Sequence, residues 1–233
     1  MKSKSEKSYG ARIGNAGKLA TALQSFADYQ PQKPEFGFAA FQTQITQTKS
    51  QNNTVASKKQ IYSLAVESRK QLFEKNTYSI KKILSPINAT VKASYGKEAK
   101  EAIDVASIIA KIRGANTKYA STADHKTVSQ SYQSFSSKTQ FFADLLTNLT
   151  YFGTNYNPSN NELTLTNLGI LHSNASTANN TVMDSFSQFI QQNDTRMSSY
   201  NTLAQTALRI KDNVKSQYGL NSTEYSLIKK LSI

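Results

Sequence analysis

The chain has 233 residues, no cysteine and no tryptophan, and its 28 Lys and Arg against 15 Asp and Glu give a net charge of +13. Without cysteine there is no disulfide scaffold, no thiol nucleophile and no Cys-ligated zinc. An apolar fraction of 38% implies a small core and long elements that expose much of their surface, while a charged fraction of 18% is too low for a highly charged disordered chain.

The first residues, Met1-Lys2-Ser3-Lys4-Ser5-Glu6-Lys7, begin like the basic segment of a signal peptide, but no apolar stretch follows. No window approaches the roughly 18 consecutive apolar residues of a spanning helix. The expectation is a cytoplasmic protein with a basic, flexible tail over residues 1–13. Leu19, Ala22, Leu23 and Phe26 then fall at helical spacing and predict a first helix over 14–30, stopped by Pro31 and Pro34. A longer helix follows, with Phe38, Phe41, Ile45, Val55, Tyr62 and Val66 on a stripe that Thr48 and Asn52 interrupt. Ile80, Leu84, Ile87, Val91 and Tyr95 form a third helical face, which Pro86 should kink or break. Gly96 stands where a positive φ ends a helix, and Glu98 and Glu101 stand where acidic side chains favour the start of the next. Apolar periodicity is lost from Arg113 to Lys118, which places a linker at 113–125.

The elements then recur. Phe142, Leu145, Leu146, Leu149 and Phe152 predict a helix over 126–152, and the connection around Pro158 answers the one around Pro31. Leu163-Thr164-Leu165-Thr166 alternates like a strand, but Phe36 to Phe41 in the matching place favours a helix start in both. A stripe of Leu165, Leu168, Ala175, Val182, Phe186, Phe189 and Tyr200 follows, and then Leu203, Ala207, Ile210, Val214 and Tyr218 repeat the third face. Asn221, three residues before Glu224, suggests a capping box. The strongest signal is a motif: Val91-Lys92-Ala93-Ser94-Tyr95-Gly96 returns as Val214-Lys215-Ser216-Gln217-Tyr218-Gly219. Ile87 matches Ile210 and Glu101 matches Glu224 at the same offset, and Asn52-Asn53-Thr54-Val55 returns as Asn179-Asn180-Thr181-Val182 at a larger one. A repeat of this kind implies that each copy buries the face the other exposes. The expected fold is all-α: an elongated bundle of two tandem repeats, 14–112 and 126–233, with three or four helices each and pseudo-two-fold symmetry.

The stretch Tyr218, Gly219, Ser222, Glu224, Tyr225 resembles uncharacterised bacterial helical proteins in which a Val-Lys-x-x-Tyr-Gly-x-x-Ser-x-Glu-Tyr run ends a long helix. The first copy keeps the Glu, as Glu101, but departs from that run with Ala99 and Ala102 in place of Ser and Tyr. The resemblance carries no activity with it.

Chemistry-bearing residues are sparse. His125 and His172 have no ligand partner at helical spacing, and Glu67 and Glu74 lie beside Arg69, Lys70 and Lys75. No metal or other cofactor is expected. There is no Gly-x-Ser-x-Gly elbow and no phosphate-cradling loop, since Gly37 and Gly153 stand alone. In the motif, Tyr95 and Tyr218 close apolar stripes and Gly96 and Gly219 cap them, which leaves Lys92 and Lys215 without a packing role. The charge is uneven, with 20 Lys and Arg against 9 Asp and Glu in residues 1–124 and 8 against 6 in the remainder. Lys58, Lys59, Arg69, Lys70, Lys81, Lys82 and Lys92 are therefore candidates for an anion-binding stripe. The leading expectation is a non-catalytic helical scaffold that acts through self-association or a protein partner. The alternative is sequence-independent binding of nucleic acid or another polyanion through the basic first repeat.

Overall fold

A computed structural model describes residues 8–114 and 134–233, and no strand occurs among them. Among the described residues seven α-helices follow in order: α1 (Tyr9–Ser25), α2 (Phe38–Lys70), α3 (Ile80–Tyr95), α4 (Lys100–Arg113), α5 (Phe135–Tyr151), α6 (Leu165–Tyr218) and α7 (Thr223–Ile228). Between α2 and α3 the backbone widens into a π-helical turn, Gln71–Lys75, and short 3-10 turns precede α2 and α6. No described helix is long and apolar enough to cross a membrane.

The chain divides into two compact units. The first draws on Met1–Ile61 and Phe186–Ile233, the second on Tyr62–Ser185. The division falls inside α2 and α6, so it does not follow the boundaries at 112 and 126 expected for two repeats. In the first unit, Leu19 and Leu23 of α1, Phe41 and Ile45 of α2, Leu203, Ala207, Ile210 and Val214 of α6, and Ile228 of α7 form one buried cluster. In the second, Ile80, Leu84, Ile87 and Val91 of α3 are buried with Val105, Ile109 and Ile112 of α4, Phe142, Leu145 and Leu149 of α5, and Leu168 of α6. Each fully buried side chain of this size contributes about 1.5–3 kcal/mol of transfer free energy. Burial of these stripes is what stabilises helices whose surfaces are mostly Ser, Thr, Asn and Gln.

Helix ends follow local chemistry. The Ser8 Oγ accepts from the Ala11 N–H at 3.2 Å, so Tyr9 to Ile13, expected in the tail, form the first turn of α1. Ser134 caps α5 in the same way, accepting from the Ser137 N–H at 3.0 Å; residues 126–133 of the helix expected there, and most of the expected linker, lie outside the described residues. Gly96 and Gly219 end α3 and α6 with φ of 90° and 94°, the left-handed region that a side chain would strain. The cap of α7 is Ser222, whose Oγ accepts from the Tyr225 N–H at 3.2 Å, and not Asn221 three residues before Glu224. A residue one place closer to the helix meets the orphan N–H groups directly. Pro86 does not break α3, which is continuous from Ile80 to Tyr95. It lies on an exposed face, where the loss of one backbone bond leaves a carbonyl open to water. Phe186, placed on a buried stripe from the sequence, is 46% exposed.

The loops entering α2 and α6 are held by tyrosines. The Tyr29 hydroxyl donates to the Phe36 carbonyl at 3.2 Å, and the Tyr156 hydroxyl donates to the Leu163 carbonyl at 2.9 Å. Burial pushes Tyr156 from the ordinary 10.0 up to about 12. The unfolded chain therefore releases this proton at a lower pH than the folded one. Tyr156 adds nothing to the pH dependence below 10, and stability falls as pH rises from 10.0 towards about 12. Urea midpoints followed across that window should drop, and Tyr156→Phe should flatten the slope while lowering stability at neutral pH by about 1 kcal/mol through the lost hydrogen bond.

Candidate functional site

Aromatic rings meet cations in both units. In the second unit, Phe135 opens α5 and meets Phe73 of the π-helical turn edge-on, with ring centroids 4.9 Å apart. The Arg69 guanidinium lies 4.1 Å from the Phe135 centroid and the Lys138 ammonium 5.6 Å from it. Burial pushes the Arg69 guanidinium below its ordinary value, because the group gives up water without gaining a carboxylate. Its Nε is buried without a hydrogen-bond partner. Ring faces supply the compensation, since a guanidinium is weakly hydrated and stacks well on an aromatic quadrupole. Asn179, nearby in the core, donates from Nδ2 to the Thr139 Oγ1 at 2.9 Å while its Oδ1 stays buried and unpaired.

In the first unit the rings are Tyr9 and Tyr200, with centroids 4.6 Å apart. Arg12 lies 4.7 Å over Tyr200, and Arg196 lies 4.2 Å over Tyr9. The Tyr200 hydroxyl is fully engaged: it donates to the Tyr9 carbonyl at 3.1 Å and accepts from the Asn52 Nδ2 at 2.7 Å. Arg12 also donates from Nη2 to the Tyr200 carbonyl at 3.0 Å. Asn52, which interrupts the apolar stripe of α2, thus has a polar partner in the core. Thr48, the other interruption, is buried and donates to the Gln44 carbonyl one turn back, at 2.8 Å.

Of the cations singled out in the sequence, Lys58 and Lys59 lie in the first unit, and Lys58 donates to the Gln188 Oε1 at 2.8 Å. Arg69, Lys70, Lys81, Lys82 and Lys92 lie in the second unit. They engage different partners. Arg69 stacks on Phe135, Lys82 reaches back to the Lys75 carbonyl at 2.6 Å, Lys81 lines a cavity, and Lys92 stands half-buried in the last turn of α3. Arg113 and Lys138, which line the same cavity as Lys81, were not singled out. With Lys81 they sit on three successive helices, and packing brings them together. In the repeat motif, Val91 and Val214 are core residues, and the Lys92 and Lys215 carbonyls accept the capping bonds from the Gly96 and Gly219 N–H groups. Tyr95 packs on Phe152 at 5.1 Å; Tyr218 packs on Phe26 at 5.9 Å and donates to the Ala27 carbonyl at 2.6 Å.

No group of three or more His, Asp or Glu side chains with metal-binding geometry occurs among the described residues. His172 lies beside the Phe142 ring, centroids 6.2 Å apart, and Glu67 pairs with Lys75 at 2.6 Å on the surface. A cleft of about 500 Å³ in the first unit is lined by hydroxyls and amides (Gln44, Gln47, Thr48, Thr195, Ser198) with Asp194 as its one charged group among the described residues. In comparisons with known proteins, the chain matches no family model, no curated protein and no solved structure. Removing the Tyr200 hydroxyl tests how far the first cluster is structural. Tyr200→Phe leaves the Asn52 amide without its acceptor and should lower unfolding free energy by about 1–3 kcal/mol in urea titration.

Proposed function

We propose that this chain is an internal duplication that works as a non-catalytic helical scaffold, associating with further copies of itself. The duplication is supported by the register of the two clusters. Tyr9 and Phe135 stand 126 positions apart, as do Arg12 and Lys138; Asn52 and Asn179 stand 127 apart, as do Arg69 and Arg196, and Phe73 and Tyr200. Beyond the break at Asn76 to Ser79 the separation falls to 123, pairing Ile80 with Leu203, Ile87 with Ile210 and Gly96 with Gly219. The first copy thus has four additional residues between Phe73 and Ile80, where the π-helical turn gives way to α3, whereas α6 runs through the matching positions unbroken. Each compact unit then combines the opening helices of one copy with the closing helices of the other. That exchange fits two copies burying one another's apolar faces.

Self-association rests on one observation, the outward face of α6 in the first unit. Phe186, Ile190, Met197 and Leu208 follow at spacings of four, seven and eleven residues and are 46%, 40%, 48% and 61% exposed. At 3.6 residues per turn they fall within about 40° of one another, one stripe along the helix. Its setting favours a second copy of the chain. Residues 139–210 contain no lysine, and their four carboxylates (Asp144, Glu162, Asp184, Asp194) outnumber Arg196 and Arg209. In a chain of net charge +13 this is the stretch where two copies repel least, and where the basic first half of another copy is attracted. A polyanion reading has narrower support, from the exposed Lys59, Lys70, Lys81 and Lys82.

Size exclusion with light scattering, with absorbance read at 260 and 280 nm, separates the two. Scaffold function predicts an assembly larger than a monomer, free of nucleic acid and stable in high salt. The pair Ile190→Glu and Met197→Glu should shift it by at least tenfold in dissociation constant, about 1.4 kcal/mol or more. A monomer that carries nucleic acid at low salt and releases it at high salt would instead favour the polyanion reading.

A further inference from the structure

The apolar stripe on α6 has a counterpart in the other copy, and the two faces carry opposite chemistry. With the separations of 127 and 123 positions, Phe186, Ile190, Met197, Ala204 and Leu208 match Lys59, Ser63, Lys70, Lys81 and Ser85. Phe186, Ile190, Met197 and Leu208 are exposed, and so are all five residues of the matching set. Core packing selects no residue at an exposed position, so the divergence is a property of the surface and not of the fold. No charged side chain falls on the α6 stripe: Asp184, Asp194 and Arg196 lie at least about 40° from it round the helix. The matching face carries three ammonium groups, with Glu74 in place of Asn201.

The consequence rests on the duplication and the self-association proposed above, and concerns how far association runs. A contact between two copies either joins the same face of each and closes, or joins two different faces and continues into a ring or filament. A duplicated chain carries each face twice, so it has the means to continue unless one face is blocked. Setting the α6 stripe of one copy on the Lys59 face of another would bury ammonium groups against apolar side chains. No carboxylate on the stripe could receive them. Attraction between the basic half and the lysine-free stretch steers approach at a distance, but that contact would lose it. Charge placed on an otherwise adhesive face excludes the wrong pairing. We propose that the α6 stripes of two copies face one another in a closed pair, and that Lys59, Lys70 and Lys81 end the assembly there by keeping the matching face in water.

Sedimentation of the full chain over a wide range of concentration tests this, and the mass should level off at two copies. Lys59→Phe, Ser63→Ile and Lys70→Met together reproduce the α6 stripe on the matching face. This triple variant should pass two copies and keep growing with concentration, reversibly on dilution. Phe186→Lys with Met197→Lys should raise the dissociation constant of the pair by at least about tenfold, a difference of 1.4 kcal/mol. Adding those two changes to the triple variant leaves one apolar face per chain and should end growth at two copies or fewer. All five positions are exposed, and circular dichroism checks that each variant keeps its helix content. The proposal is overturned if the unaltered chain grows past two copies, which would leave self-association itself standing. It is equally overturned if the triple variant stops at two, if the combined variant grows past two, or if Phe186→Lys with Met197→Lys leaves the pair unchanged. A chain that stays monomeric at every concentration removes self-association, and this inference with it.

Discussion

Apolar surface is scarce in this chain, and its helices are held in place by where that surface finds cover. The stripe on α1 is completed by the last third of α6, and the stripes on α3 and α4 by α5 and the start of α6. Propensity contributes little to these helices, which are rich in Ser, Thr and Asn, and most helical stability in proteins comes from packing an amphipathic face. The loops, caps and ring stacks described above depend on that mutual burial. Tyr29 and Tyr156 can fasten their loops because the helices on either side are already fixed, and Tyr218 reaches Ala27 for the same reason.

Features written into local sequence were legible, and features made by packing were not. The helical stripes and the glycine stops at Gly96 and Gly219 follow from spacing and from the one residue that tolerates positive φ. The all-α class followed from those stripes. The start of α1 did not, because Tyr9 to Ile13 lack an apolar stripe and only the Ser8 cap marks the turn. Asn221 and Ser222 are both good caps, and which of them serves depends on how the chain leaves Gly219. Phe186 belongs to a regular stripe, yet a stripe does not say whether anything covers it. The basic cavity was hidden most completely. Its cations come from three helices, and charge counting along the chain assigned Lys138 to the less basic half.

Polar residues inside the units specify position more than they add stability. Asn52 and Tyr200 pair only with the helices in one register, and so do Asn179 and Thr139. Arg69 and Arg196 give up part of their hydration and recover it on ring faces, which demands a definite ring orientation. A core of Leu and Ile alone would tolerate sliding by a turn. These pairs do not.

The first unit is discontinuous in sequence: its elements come from before residue 62 and after residue 185. During synthesis, α1 and the start of α2 leave the ribosome long before their partners at Leu203 to Val214 exist. Their apolar faces must remain uncovered, or find a temporary cover, while more than half of the chain is made. Contacts this distant are also the slow ones to form, since a long loop must close before any burial rewards it. The second unit, contiguous from residue 62 to 185, is under no such delay. Order of assembly is therefore built into the connectivity: the centre of the sequence folds first, and the two ends meet last.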